Sequence, residues 1–216
     1  MARQLSGKVI VATHNPGKLR EMTELLAPYS IQTVSAGALG IAAPAETGHM
    51  FAENAAIKAH AAAKAGGLPA LADDSGICID ALDGAPGLFS ANWAVGKDFG
   101  PAMARVDREL RRRNALAPGE RRAHFVSALV IAWPDGHDEL FEGRVFGTVV
   151  TPRGAQGFGY DPLFQPDGSS RTFGELSAAE KHGIDWARRE ALSHRARAFL
   201  ALAEACLPAL RGRAFS

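Results

Sequence analysis

The stretch VIVATHNPGK, residues 9–18, decides the fold class of this chain. Its first four residues are apolar without interruption and predict a short buried strand, whereas the next six form a turn-rich loop. Apolar residues then recur at helical spacing from Leu19 to Leu26, which predicts a helix that Pro28 ends. With a second strand at 31–34, this order is the usual start of an α/β fold.

The rest of the chain continues the mixture of helices and strands, without an internal repeat or a clear linker. The predicted elements are a helix at 49–65 capped by Thr47, a strand that ends in an acidic turn at 73–76, a helix at 101–113, a β-hairpin at 123–133 and 139–150 around the turn 134–136, and helices near 173–182 and 187–206.

The composition is that of an ordinary globular protein. The chain has 216 residues, of which 47% are hydrophobic, and a formal net charge of +1. This charge gives no reason to expect a nucleic-acid or membrane partner, and the basic run 111–113 is interpreted as a solvated helix end. Two cysteines in different contexts, Cys78 and Cys206, do not form a disulfide framework. Without an apolar leader or a membrane-length apolar run, we expect a cytoplasmic protein.

Two polar segments near the start of the chain are candidates for binding phosphate. Thr13, Asn15 and Lys18 lie in the loop that enters the first helix, where free backbone N–H groups and the helix dipole favour an anion. The spacing is not that of a Walker A loop, and a simple helix-entry turn is the alternative. Lys58 shares a helical face with Asn54 and offers a further positive charge, although it also suits a solvated position.

The acidic residues of the sequence suggest a metal site. Asp73 and Asp74 are adjacent, and Mg²⁺ would relieve their repulsion and hold a substrate phosphate. Asp74 then binds the metal or orients an attacking water, and Glu46 is a second candidate ligand. An acidic surface turn is the alternative for the pair, and stabilisation of a helix start is the alternative for the segment around Glu53.

The second half of the chain carries candidates for binding a base. In Gly157–Pro162, glycines flank Phe158, and a ring on such a backbone is a suitable platform for stacking a base. Asp161 can accept from ring N–H groups, and Arg195 can donate to an oxygen of a base or a phosphate. Packing aromatic residues and a structural His194 are the corresponding alternatives.

The order of these motifs resembles the inosine triphosphate pyrophosphatase family, also called non-canonical purine NTP pyrophosphatases. The resemblance runs from about residue 8 to residue 205. The matching segments are Thr13–Lys18, Glu46–Gly48 with Phe51, Glu53, Asn54 and Lys58, Ala72–Gly76, Gly84–Gly87 with Ser90 and Ala91, Gly157–Pro162, Glu180 with Lys181, and Ser193–Arg195.

This resemblance implies a homodimer with an α/β, two-lobed fold around a long mixed β-sheet with flanking helices, and an active site in the cleft between the lobes. We expect one domain over residues 1–216, with the second lobe at roughly 84–150. The implied reaction is Mg²⁺-dependent hydrolysis of ITP, dITP or XTP to the monophosphate and pyrophosphate. The implied residues are Asp74 for catalysis and, with Glu46, for the metal, and Thr13, His14, Asn15, Pro16, Gly17, Lys18, Lys58, Ser75, Phe158, Gly159, Tyr160, Asp161, Lys181, His194 and Arg195 for the substrate.

The sequence departs from many relatives at two places. Ala45 and Glu46 stand where those relatives have an acidic pair, so that one metal ligand is absent. The gap between Lys181 and His194 is also longer, and the extra segment, 183–191, is interpreted as a surface excursion or a local lid. Three other functions are the alternatives: a Maf-like pyrophosphatase for modified pyrimidine or methylated nucleotides, a nucleotide-binding regulator without turnover, and a nucleic-acid-binding module.

Overall fold

The computed structural model of the chain describes residues 2–209. Six strands form one mixed sheet in the order β2-β1-β3-β4-β5-β6, and two short strands form a separate hairpin, β7-β8. The strands are β1 (Lys8–Val11), β2 (Gln32–Ser35), β3 (Ala70–Ile79), β4 (Arg122–Ala132), β5 (Asp138–Val149), β6 (Phe164–Pro166), β7 (Ile184–Asp185) and β8 (Glu190–Ala191).

The sheet contains both parallel and antiparallel neighbours. Strand β1 pairs in parallel with β2, where Ile10 faces Val34, and with β3, where Ile10 faces Ala70. Strand β6 pairs antiparallel with β5. The α/β fold with a mixed sheet and flanking helices is therefore confirmed.

Five α-helices accompany the strands in the described part of the chain. The predicted hairpin between β4 and β5 is also present, and its turn is closed by hydrogen bonds between Trp133 and His137 and between Gly136 and Trp133. The helices are α1 (Pro16–Leu26), α2 (Phe51–Gly66), α3 (Gly100–Arg112), α4 (Ala178–His182) and α5 (His194–Cys206).

The chain forms two compact units, each with its own core. The first unit takes the chain up to Asp74, Ala128–Glu142 and the chain from Ala198 onward, and the second takes Ser75–Ser127 and Gly143–Arg197. The lobe limits of 84–150 stay a prediction, since compact units need not coincide with functional lobes.

The core of the first unit is rich in alanine. Small residues of α2, Ala55, Ala59 and Ala62, pack with Ile10 and with alanines of β3 and β4. Alanine lets a helix lie close to a sheet because it presents only one methyl group. The contact is so close at Gly66 that an added Cβ would lie 2.2 Å from the side chain of Ile10.

The core of the second unit is built from larger side chains. Phe125 packs edge-on against Phe164, at 4.8 Å between ring centroids, and Phe173 joins the same cluster. Val106 and Leu110 of α3 are fully buried against it. Aromatic groups of this size contribute most of the apolar area that such a core removes from water.

Three local predictions were wrong. The strand does not end in a turn at 73–76, because β3 continues through that segment to Ile79. Thr47 does not cap α2, whose N-cap is Met50. The predicted long helix at 187–206 begins only at His194, and the segment before it forms the β7-β8 hairpin.

The β7-β8 hairpin is stabilised by local hydrogen bonds and backbone conformation. The Asp185 side chain accepts from the backbone N–H groups of Ala187 and Arg188, and Arg189 has a positive φ of 58°. This turn chemistry stops the helix from extending towards residue 187. Throughout residues 2–209 there is no helix whose length and apolar character would let it span a membrane.

Candidate active site

The loop after β1 is organised around Asn15. Its side-chain oxygen accepts from the backbone N–H groups of Gly17, at 2.8 Å, and of Lys18, at 3.2 Å, and therefore caps α1. Pro16 occupies the first turn of that helix, where a missing N–H has no cost. Asn15 thus acts as a helix cap, as the alternative interpretation of this loop as a simple helix-entry turn predicts.

The expectation of free backbone N–H groups in this loop was wrong for three residues. Asn15 takes the N–H groups of Gly17 and Lys18, while the Asn15 N–H donates to Thr13 Oγ1 at 3.1 Å. Asn15 competes with any phosphate because a short polar side chain satisfies the first turn of its own helix. His14 is exposed on the same loop.

Two lysines neutralise the two consecutive aspartates. Lys18 Nζ lies 2.8 Å from Asp73 Oδ2, and Lys58 Nζ lies 2.7 Å from Asp74 Oδ1. Both carboxylates are almost completely buried, and both lysines are largely buried. Lys58 is therefore not a solvated side chain, and the interpretation of 73–74 as an acidic surface turn was wrong.

The two aspartates do not form a joint carboxylate pair. Neighbouring residues of a strand point to opposite faces of the sheet, and both residues belong to β3. The two side chains form ion pairs with different lysines, and Asp74 shares Lys58 with Glu46, whose Oε1 lies 3.1 Å from Nζ. We define Glu46, Lys58 and Asp74 as the acidic-lysine cluster.

Burial and charge compete for the ionisation of this cluster. Burial raises the pKa of Asp74 above its ordinary value, and the positive charges of Lys58 and Lys18 only partly offset this effect. Burial acts to lower the pKa of Lys58, but the neighbouring charges of Asp74 and Glu46 outweigh it, so that this pKa is raised. Lys58 therefore stays protonated at neutral pH.

The acidic-lysine cluster fits a hard cation. Two carboxylates already converge on one positive group, and carboxylate oxygens together with substrate phosphates are the ligands that Mg²⁺ usually takes. Among residues 2–209, no group of three or more His, Cys, Asp and Glu side chains is arranged to hold a metal.

Glu53 and Asn54 stabilise the start of α2, which was the alternative interpretation of this segment. Glu53 Oε2 accepts from the His49 N–H at 2.6 Å, and Asn54 Oδ1 accepts from the Gly48 N–H at 2.8 Å. Both side chains fold back from the first turn of α2 to the residues that precede it. They satisfy N–H groups there in place of the predicted Thr47 cap.

A second group of predicted site residues lies in the second compact unit. Asp161 Oδ2 accepts from Lys181 Nζ at 2.7 Å and from the Phe158 N–H at 2.9 Å. Lys181 lies 5.6 Å and Arg195 lies 5.8 Å from the centre of the Phe158 ring. We define Phe158, Asp161, Lys181 and Arg195 as the aromatic-cation cluster.

The start of α5 adds His194 to this region and links Arg195 to Ser75. Arg195 Nη2 donates to Ser75 Oγ at 3.1 Å, and the His194 ring stacks on Phe125 with an interplanar angle of 12°. Arg195 and His194 are both buried. Sequence reasoning missed Phe125, because an aromatic residue within an apolar strand carries no signal except packing.

Tyr160, which the resemblance assigns to the substrate, packs into the core of the second unit. Its hydroxyl donates to the carbonyl of Ser90 at 2.9 Å, and its ring meets Phe99 edge-on. Tyr160 is buried, and burial raises the pKa of its phenol. The residue therefore anchors the loop to the core, while Gly159, with a φ of 68°, gives the turn beside it.

One residue of the acidic-lysine cluster directly precedes, in sequence, a partner of the aromatic-cation cluster. Asp74 and Ser75 are consecutive residues of β3, the first in the acidic-lysine cluster and the second bonded to Arg195. Every predicted site residue from Ser75 to Arg195 belongs to the second unit, and those from Thr13 to Asp74 belong to the first.

Comparison with known proteins shows the family of this chain. Residues 9–205 match the model of the Ham1 family. The dITP/XTP pyrophosphatase of Rhodopseudomonas palustris is 62% identical over 209 residues, which are 96% of this chain and 99% of that protein. The dITP/XTP pyrophosphatase of Bradyrhizobium diazoefficiens has the same identity and coverage.

The solved structures include a similar fold. The HAM1 protein of Coxiella burnetii superposes with a TM-score of 0.77 at 34% identity, covering 93% of this chain and 98% of that one. The family match covers both clusters described above, from the loop after β1 to α5. This chain belongs to the Ham1 family.

Proposed function

We propose that this chain hydrolyses non-canonical purine nucleoside triphosphates, such as dITP, XTP and ITP, to the monophosphate and pyrophosphate. The structural observation that carries the proposal is the acidic-lysine cluster, in which Lys58 lies between the carboxylates of Glu46 and Asp74. Lys58 can neutralise a phosphate oxygen there, and the two carboxylates can hold a cation that neutralises others. The 62% identity to dITP/XTP pyrophosphatases supports the same activity.

The acidic-lysine cluster acts on the triphosphate in this proposal. A water oxygen attacks the α-phosphorus, the bond from this phosphorus to the bridging oxygen breaks, and pyrophosphate leaves with the bonding electrons. Phosphoryl chemistry demands mainly positioning and charge neutralisation from the protein. Asp74 orients the water, and Lys58 and Lys18 supply positive charge.

Mg²⁺ is the metal that we propose for this reaction, held by Asp74 and Glu46. When bound, such an ion neutralises phosphate oxygens and makes a coordinated water more acidic. The homodimer and the placement of the site in a cleft stay predictions from the family resemblance, and the cytoplasmic location stays a prediction from the sequence.

The aromatic-cation cluster binds the base in this proposal. Hypoxanthine and xanthine carry an oxygen at position 6, whereas adenine carries an amino group there. Lys181 and Arg195 are donors without acceptor capacity, so that they favour the oxygen and leave an amino group unpaired. The Phe158 ring offers a face on which the base can stack, and Lys181 and Arg195 both lie near this ring.

A substrate panel tests this function. The protein is incubated with Mg²⁺ and, separately, with dITP, XTP, ITP, GTP, ATP and dTTP, and pyrophosphate is measured. We expect release from the first three far above the others. Release mainly from dTTP and modified pyrimidine nucleotides would instead support a Maf-like activity, and nucleotide binding without release would support a regulator.

A further inference from the structure

Asn54 is a buried polar residue that lies next to the acidic-lysine cluster and is not part of it. Only 4% of its surface is exposed, and its Oδ1 accepts from the Gly48 N–H at 2.8 Å. Its own backbone N–H donates to the carbonyl of Met50 at 3.2 Å. Two hydrogen bonds thus fasten this position of α2 to the segment that precedes the helix.

The approach of Gly48 to this helix is too close for any side chain. A Cβ at Gly48 would lie 2.6 Å from the Cβ of Glu53 and 2.7 Å from Asn54 Oδ1. Real Cβ atoms do not approach other atoms this closely, and the groups that it would meet belong to the first turn of α2. The bond from Gly48 to Asn54 therefore depends on glycine at this position.

Glu46 lies two residues before this bond. Residues 41–48 have no regular secondary structure, and the Glu46 side chain is 47% exposed. Neither packing nor a strand ladder therefore fixes the direction of its carboxylate. Among the described hydrogen bonds, the part-buried bond from Gly48 to Asn54 is the nearest to Glu46 along this segment.

The same helix holds both the attachment and the partner of Glu46. Lys58 lies one helical turn after Asn54, and residues four apart share a helix face. Lys58 Nζ reaches Glu46 Oε1 at 3.1 Å. Helix α2 consequently fixes the backbone beside Glu46 through Asn54 and meets its carboxylate through Lys58.

We propose that Asn54 is a positioning residue for the metal site, which acts by holding Gly48 so that the Glu46 carboxylate lies beside Asp74. The inference rests on the proposed function and adds a residue to it. Asn54 binds neither metal nor substrate in this role. Groups that orient metal ligands typically affect metal affinity by about 10- to 100-fold.

The test compares Asn54→Leu, which has a similar volume and no acceptor, with Asn54→Asp, which keeps an acceptor oxygen. The measurement is the Mg²⁺ concentration that gives half-maximal dITP hydrolysis. We expect this concentration to rise about 10-fold in Asn54→Leu. In Asn54→Asp we expect no rise, and an equally weakened Asn54→Asp would overturn the proposal.

A double-mutant cycle separates positioning from general stability. In the Glu46→Gln background, we expect Asn54→Leu to cause no further rise in the half-maximal Mg²⁺ concentration, because no carboxylate is left to position. A purely structural role would give the same rise in both backgrounds. That result, or an unchanged metal dependence of Glu46→Gln itself, would overturn the proposal.

Hydrogen exchange of the Gly48 amide tests the attachment without using activity. We expect protection in the wild-type protein and in Asn54→Asp, and its loss in Asn54→Leu. Unprotected Gly48 in the wild-type protein would overturn the attachment. If the wild-type protein released no pyrophosphate from any nucleotide, the proposed function would fail, while the exchange measurement would still decide whether Asn54 holds Gly48.

Discussion

At the scale of residues, ion pairs reduce the free-energy cost of the buried charges in this chain. Asp73, Asp74 and Asp161 are buried carboxylates, and each has a lysine within 2.8 Å. An isolated buried charge is costly, whereas a paired and hydrogen-bonded one is not. In both proposed clusters, therefore, the groups that are assigned to the substrate also stabilise one another.

The ion pair of Asp161 and Lys181 gives a test at this scale. Both side chains are buried, at 7% and 5% exposure, and Lys181→Met leaves the carboxylate without its cation. Loss of one partner of a buried pair costs about 3–5 kcal/mol of folding free energy. We expect urea unfolding to show a loss of this size.

The double variant Asp161→Asn/Lys181→Met serves as the control for that measurement. An asparagine at position 161 can still accept from the Phe158 N–H, and no unpaired charge remains. We expect it to lose clearly less stability than Lys181→Met alone. Equal losses in the two proteins would show that the pair is not the cause.

The sequence indicates the residues of the proposed site, but not how they pair. The aspartates, the lysines and Phe158 stand out through their motifs. The separate partners of Asp73 and Asp74 follow only from the alternation of side chains along β3, which requires knowing that the strand continues. Tyr160 belongs to the same glycine-rich motif as Phe158, and only the structure shows that its hydroxyl donates to the carbonyl of Ser90.

At the scale of elements, segments with a clear apolar period were predictable, whereas the acidic segment of β3 and the segment before α5 were not. The helix predicted at 101–113 corresponds to α3, and the hairpin at 123–133 and 139–150 corresponds to β4 and β5. The acidic motif was wrongly given a turn, because Asp and Gly are rare within strands. Buried lysine partners overcome this preference in β3, and a lysine 55 residues away along the chain is not a local signal.

The glycine-rich loop before α4 gives a second test. Gly157 has a φ of 75°, and an added Cβ would lie 2.0 Å from Asp161 Oδ2 and 2.9 Å from Lys181 Nζ. We expect Gly157→Ala to raise the KM for dITP by at least 10-fold, because the added methyl group displaces the ion pair beside Phe158. A 10-fold change corresponds to a loss of about 1.4 kcal/mol in binding free energy.

Gly159→Ala is the matched control for this loop. Gly159 also has a positive φ, of 68°, but its added Cβ would meet only the Phe99 ring, at 3.8 Å. Backbone strain is thus similar in the two variants, and the steric conflict is confined to Gly157. Equal changes in KM would contradict the positioning of Phe158 by Asp161.

The short helix α4, which carries Lys181, gives a test by pH. The ion pair with Arg171 and the hydrogen bonds from Ser177 lower the pKa of Glu180 from 4.5 to about 2. A lowered pKa means that the folded protein prefers the ionised group. The resulting stability is present above pH 4.5 and is lost as the pH falls towards 2.

Glu180→Gln removes this contribution. We expect the wild-type protein to have a higher Tm than the variant at pH 7, and we expect the difference to shrink as the pH falls from 4.5 towards 2. Thermal unfolding followed by circular dichroism provides the measurement. A difference in Tm that is constant over this range would contradict the role of the Glu180 charge.

At the scale of the whole molecule, the fold class was predictable and the separation into two cores was not. The opening strand, loop and helix indicate an α/β fold, and the sheet around β1 confirms it. The two cores depend on contacts between distant segments, such as α2 with β4, that no local pattern reports. The proposal that the acidic-lysine cluster acts on phosphate and the aromatic-cation cluster binds the base also concerns the whole molecule.

Hydrolysis of dITP by the Asp74→Asn variant tests the central claim most directly. Asp80→Asn is the matched control, because Asp80 is exposed, directly follows β3 and contacts neither cluster in the described contacts. The account predicts stoichiometric dIMP and pyrophosphate from the wild-type and Asp80→Asn proteins, and a rate about 10²- to 10⁴-fold lower for a correctly folded Asp74→Asn. An Asp74→Asn rate close to that of the wild-type protein would contradict it.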